Sequence, residues 1–185
     1  MLLICAGIHP PELTECFLNG VLENWKYQQK LGELLIFPTQ DYPAYSSIDI
    51  FNFIYQNNPK SAIIIVAFSA GVVGAIGAAL AWQQWGGEIQ GLIAIDGWGV
   101  PLGGNFPIYR ISHDYFTHWS SALLGGGIES FYADPAVEHL ELWRSPQTTK
   151  GWWIHETSTG LKTATPTTAT TFIQNVCELP TLLYE

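Results

Sequence analysis

The stretch IIIVAFSAGVVGAIGAALAW, Ile63 to Trp82, carries no charged residue and is about as long as the ~20 apolar residues a membrane-spanning helix needs. Its two halves nevertheless have different preferences. It opens on the β-branched run Ile63 to Val66, and after Phe68-Ser69-Ala70-Gly71 it becomes a small, apolar, helix-like run ending at Gly86-Gly87. One spanning helix would not change character at Ser69. It would also carry a Lys/Arg excess on one flank, whereas Lys60 stands alone on one side and Gln83, Gln84 and Glu88 follow on the other. The stretch therefore predicts a doubly buried strand, a sharp turn at Ser69 and a buried helix, and no membrane span is expected.

The same alternation extends outward along the chain. Short apolar runs at Leu2 to Ala6, Leu34 to Phe37, Leu92 to Ile95, Ile108 to Ser112 and Glu129 to Ala133 are separated by helix-like segments, the signature of β-α units around a parallel sheet. Pro11 suits the first turn of one helix. Ser46 with Asp49 makes a capping-box-like start to a second, which Asn57, Asn58 and Pro59 stop, and Thr165 with Pro166 would open the last. The threonine-rich piece Glu156 to Thr168 reads as an exposed loop. The expected fold is α/β: a three-layer α/β/α sandwich on a mostly parallel sheet of about six strands. One domain over residues 1–185 is expected, with 143–165 as an inserted loop segment.

Composition narrows the partners. Seven basic and sixteen acidic residues leave a net charge of −9, and no stripe of Lys or Arg is available for a phosphate backbone, so nucleic acid is not expected. Cys5, Cys16 and Cys177 are scattered, odd in number and without metal-ligand spacing, which suits free thiols in a reducing compartment. The amino terminus has no basic region before its short apolar run. The expectation is a cytoplasmic protein with no metal and no cofactor.

Ala67-Phe68-Ser69-Ala70-Gly71 reads as a strand–turn–helix that exposes a serine, the G-x-S-x-G arrangement with alanine at its first position. Small residues are needed two before and two after such a serine, because the tight turn brings those positions together. A nucleophilic serine needs a base and an orienting acid. Asp114 follows the fifth run and His139 the sixth, both at the edge where Ser69 would emerge. Asp96, after the fourth run, is the alternative acid, or it satisfies the turn of Gly97 and Gly99. His113 and His118 are possible partners or supporting groups beside Asp114, and His9 reads as a loop residue.

On these residues the chain resembles the α/β-hydrolase superfamily, most closely its small lidless bacterial lipases and esterases. The matching pieces are AGIHPP, AFSAG, SHDYFTH and EHLELW. The resemblance implies Ser69 as nucleophile, Asp114 as acid, His139 as base, and the backbone N–H groups of Ala70 and Ile8 as oxyanion donors. The implied activity is a serine hydrolase acting on a small ester or related acyl substrate, with apolar character suggested by Phe68, Trp98 and Trp119. The alternative is a noncatalytic hydrolase-like protein that binds a ligand in the same cleft. Trp143, Trp152 and Trp153 are read as cover for the sheet edge rather than as a pocket wall. Oligomeric state is left open.

Overall fold

A computed structural model describes residues 1–23, 33–57, 62–125, 127–156 and 161–182. The elements, in chain order, are β1 (Leu2–Cys5), α1 (Pro11–Leu22), β2 (Leu34–Ile36), α2 (Ser47–Asn57), β3 (Ile63–Phe68), α3 (Ala70–Gln84), β4 (Ile89–Ile95), β5 (Ile108–Ser112), α4 (Tyr115–Ala122), β6 (Glu129–Ala133), α5 (His139–Arg144), β7 (Lys150–Glu156), β8 (Lys162–Thr168) and α6 (Ala169–Leu182). They build one sheet in the order β2-β1-β3-β4-β5-β6-β7-β8.

The first six strands are parallel and follow the order their β-α-β connections imply. β7 and β8 are antiparallel additions. The expectation of a six-stranded, mostly parallel sheet is thus corrected to eight strands of mixed direction. The cause lies in the segment read as an inserted loop. Lys150–Glu156 runs back along β6, and Lys162–Thr168 returns beside it, pairing Trp152 with Pro166 and Trp153 with Thr165. The threonine-rich β8 looks like a loop in sequence because its side chains are largely exposed, so no apolar alternation marks it. β-branched threonine still favours an extended backbone, and Pro166 is tolerated on an edge strand.

β3 lies in the middle and explains the uncharged opening stretch. Ile64, Val66 and Phe68 face a core shared with α1, α5 and α6, while Ile63, Ile65 and Ala67 face a core shared with α2 and α3. Both faces of the strand are covered, so neither can carry charge. α3 buries Val72, Ala75, Ala78, Ala79 and Trp82, and no described helix is long and apolar enough to cross a membrane. Gly71 is what lets this helix start so close to the sheet: a Cβ there would fall 2.2 Å from the Cys5 carbonyl oxygen.

Local signals fare unevenly. Pro11 opens α1, and Ser46 caps α2, accepting from the Asp49 N–H and donating to its carboxylate. Asn58, Pro59 and Lys60 lie outside the described residues. α6 starts later than expected: Thr168, not Thr165, caps it by accepting from the Thr171 N–H at 3.2 Å.

Candidate functional site

The parallel strands β3, β4, β5 and β6 all end at one edge, and the segments beyond them line a cavity of about 500 Å³. Open α/β sheets gather ligands at this edge, where the strand order reverses beside β1 and β3. One wall is Ser69, Ala70 and Val73. The floor is Asp96, His113 and His139, and Trp98, Val100 and Phe116 supply the apolar side.

Ser69 sits at φ 52°, ψ −121°, the first central position of a type II′ turn, which glycine adopts freely and serine does not. Its backbone N–H is tied to the Ile95 carbonyl at 2.9 Å. The loop after β1 presses on it, since a Cβ on Gly7 would stand 3.0 Å from the Ser69 Cβ. Ile8 projects from that loop into solvent. Ala70 begins α3, so the positive end of the helix dipole points into the cavity.

Asp96 follows β4 with φ 50°, a left-handed conformation that aspartate tolerates better than most residues. Its side chain is 1% exposed. Oδ1 accepts the backbone N–H of His113 at 2.9 Å, and Oδ2 lies 2.8 Å from the Nδ1 atoms of both His113 and His139. A single buried carboxylate oxygen therefore joins two imidazoles. One ligand atom from each of the three side chains falls within 4.8 Å of the others.

Each histidine is fixed from behind. His113 follows β5, and its carbonyl accepts the Val137 N–H at 3.0 Å, which anchors the loop leading to His139. The His139 ring stacks on Phe68 at 4.7 Å, Phe68 on Trp143 at 4.8 Å, and Trp143 on Phe17 at 3.7 Å. The hydrogen bond to Asp96 raises the pKa of His113 above its ordinary value, against the opposing effect of burial.

Asp114 does not join His139. Oδ1 caps α4, accepting the Thr117 N–H at 2.6 Å, and Oδ2 stands 3.6 Å from His113 Nε2. Burial opposes its charge, but the Thr117 N–H and hydroxyl, together with His113, outweigh burial and hold the carboxyl below the usual range. Among the described residues no hydrogen bond reaches the Ser69 hydroxyl.

These contacts correct the expected chemistry. A Ser69–His139–Asp114 triad needs His139 bonded to both partners, and it is bonded to neither; Asp96 holds it, together with His113. The serine-hydrolase activity, the enzyme class and the serine nucleophile inferred from that triad are replaced by a carboxylate–bis-imidazole cluster of metal-binding type. Asp96 and His139 were among the sequence candidates, the former only as the alternative acid. His113 stood among them as a possible partner or supporting group beside Asp114. The missed signal was that Asp96 and His113 each follow one of two adjacent parallel strands, β4 and β5, which sets them side by side.

The tryptophans of the added segment do not reach the cavity. Trp143 is buried in the core, Trp152 donates to Asp134 at 2.8 Å, and Trp153 donates to Glu129 at 2.7 Å. Of the aromatic residues expected near the site, Trp98 lines the cavity, while Phe68 lies beneath His139.

The fold and site together define an α/β sandwich carrying, at the switch-point edge of its sheet, an Asp/His/His cluster whose carboxylate is buried and whose imidazoles are partly exposed. Compared with models of known protein families and with curated proteins, the chain matches none.

Proposed function

We propose that this protein binds a divalent transition-metal ion through Asp96, His113 and His139, and that the ion holds a small oxygen-bearing ligand in the adjoining cavity. The observation that carries this reading is the placement of Asp96 Oδ2 at 2.8 Å from two imidazole nitrogens. Bonds of about 2.1 Å to two ligands at a right angle separate the ligand atoms by ~3 Å, against ~3.4 Å for a tetrahedral pair. The two carboxylate–imidazole contacts thus match the right-angle spacing, and the three ligand atoms, spread within 4.8 Å of one another, would draw closer on an ion that keeps open positions. Two imidazoles and one carboxylate favour Fe(II), Mn(II), Co(II) or Zn(II) over calcium or magnesium.

Other residues take supporting roles in this reading. Asp114, 3.6 Å from His113 Nε2, would hold the His113 ring with Nδ1 toward the ion, as outer carboxylates do for metal-bound histidines. Ser69 and the N–H groups of Ala70 and Ile8 would hold a ligand oxygen on the opposite wall. Val73, Trp98, Val100 and Phe116 would receive an apolar portion of the ligand. The likeness to the α/β-hydrolase superfamily is retained as a proposal about the scaffold, supported by the strand order around β3 and the turn at Ser69, and carries no activity here. The free thiols of Cys5, Cys16 and Cys177 support a reducing, cytoplasmic setting.

Titration with Co(II), followed by its d–d absorption and by calorimetry, tests the proposal. One equivalent should bind per chain, and His113→Ala and His139→Ala should each lose it while keeping the native circular-dichroism spectrum. Folded wild-type protein that takes up no Co(II), Zn(II) or Mn(II) would overturn the reading. So would a fluorophosphonate adduct on Ser69 whose formation is indifferent to added metal.

A further inference from the structure

A second surface lies away from the cavity, on the outer side of α2 and α3. Ile48 and Tyr55, two turns apart on α2, are 64% and 52% exposed, and Leu80 and Trp85, at the end of α3, are 39% and 65% exposed. The patch is continuous: Phe51 lies 6.4 Å from both Tyr55 and Trp85, and Tyr55 lies 5.9 Å from Trp85. Between the helices runs a groove of about 420 Å³, with Ile48 and Phe51 on one side and Ala81 and Trp85 on the other.

We infer that this face is a two-fold interface between two copies of the chain. Size is the first argument. From their fractional exposures the four outermost residues present roughly 500 Å² per copy, so two copies bring together about 1,000 Å², the size from which a biological interface is expected, and the patch lies in the range of the largest found on a monomer. Charge is the second. Residues 42–57 and 70–87 contain one charged side chain, Asp49, and Ser46 already binds it. In a chain of net charge −9, this is a face on which two copies can meet without repulsion.

An acidic or basic partner finds no counter-charge here. A lipid surface is disfavoured too, because membrane-bound amphipathic helices carry lysine and arginine beside their apolar stripe, and α2 and α3 have neither. Shape is the third argument. Trp85 lines the groove between α2 and α3 and stands exposed at its rim, so a two-fold axis through this face can set the Trp85 of each copy against the groove of the other, the reciprocal contact a symmetric dimer requires. Val73, which lines the cavity at the opposite end of α3, stays outside the contact, so the site remains open.

Sedimentation velocity of the full chain, from about 1 to 200 μM to span the micromolar affinities of small interfaces, tests the inference. The expected result is a concentration-dependent shift from the 20.5 kDa chain to a species of twice that mass. Leu80→Glu and Trp85→Glu should each stay monomeric while keeping the native circular-dichroism spectrum. A monomer at every concentration would overturn the inference, as would a dimer indifferent to both glutamate substitutions. A monomer that floats with zwitterionic vesicles would overturn it in favour of a lipid surface.

Discussion

Asp96→Asn probes the cluster with the least change of shape. The native carboxylate accepts three hydrogen bonds, from the His113 N–H and from two imidazoles, while its side chain is almost fully buried. Asparagine also tolerates the φ of 50° found here, so the backbone does not confound the result. One carboxamide position is now an NH2 donor. Facing the imidazoles, it forces both rings to the tautomer that accepts at Nδ1; turned over, it meets the His113 N–H and leaves a buried donor unsatisfied, at about 1–3 kcal/mol. In both orientations the bonds lose their ionic character. The combined cost is about 3 kcal/mol, the lower end of what breaking a buried charged pair costs. For a chain of this length that corresponds to a fall of ~6–12 °C in melting temperature, read by calorimetry at neutral pH. Metal affinity should fall by more than ~100-fold, beyond what loss of an outer partner causes. A variant that melts within about 2 °C of wild type and binds Co(II) unchanged would refute the reasoning.

Further expectations concern the frame around the cluster. Gly71→Ala drives a Cβ to within 2.2 Å of the Cys5 carbonyl and 2.5 Å of that of Ala6, so it should destabilise by about 3 kcal/mol, measured by urea denaturation. Ser69→Gly relieves the strained turn and should raise stability by about 1 kcal/mol, whereas Ser69→Ala keeps the strain and should not. His118 is half-buried, and burial lowers its pKa, with Lys162 and Arg110 adding to the effect. The unfolded chain therefore binds this proton more readily than the folded one. Its contribution is favourable above an unfolded pKa of about 6.5 and is lost as pH falls through and below that value. His118→Gln should accordingly flatten the fall in melting temperature on the acid side, and an unchanged pH profile would count against this account.

Much of the frame could be read directly from residues. Ile63 to Phe68 is apolar at every position, and only a strand covered on both faces needs that, so a central parallel strand followed by a buried helix was legible. The capping groups Pro11 and Ser46 were legible because they act within a single turn of chain. β7 and β8 were not. The exposed threonines of Lys162–Thr168 give the same polar pattern in a loop as on the edge of a sheet, and only pairing with Trp152 and Trp153 makes them a strand.

The site divides along the same line. Sequence by itself placed Ser69 at a strained turn and set Asp96, His113, Asp114 and His139 at the ends of strands, because strand–turn–helix patterns are local. Which carboxylate holds which imidazole was decided by tertiary structure. Register along β4, β5 and β6 brings Asp96 Oδ2 to His113 and His139 together, while Asp114, one residue beyond His113, turns away to cap α4. Neighbours along the chain point in different directions at the end of a strand. The contact that defines the chemistry spans 43 residues between Asp96 and His139, and it exists only because the sheet sets those two ends at one edge.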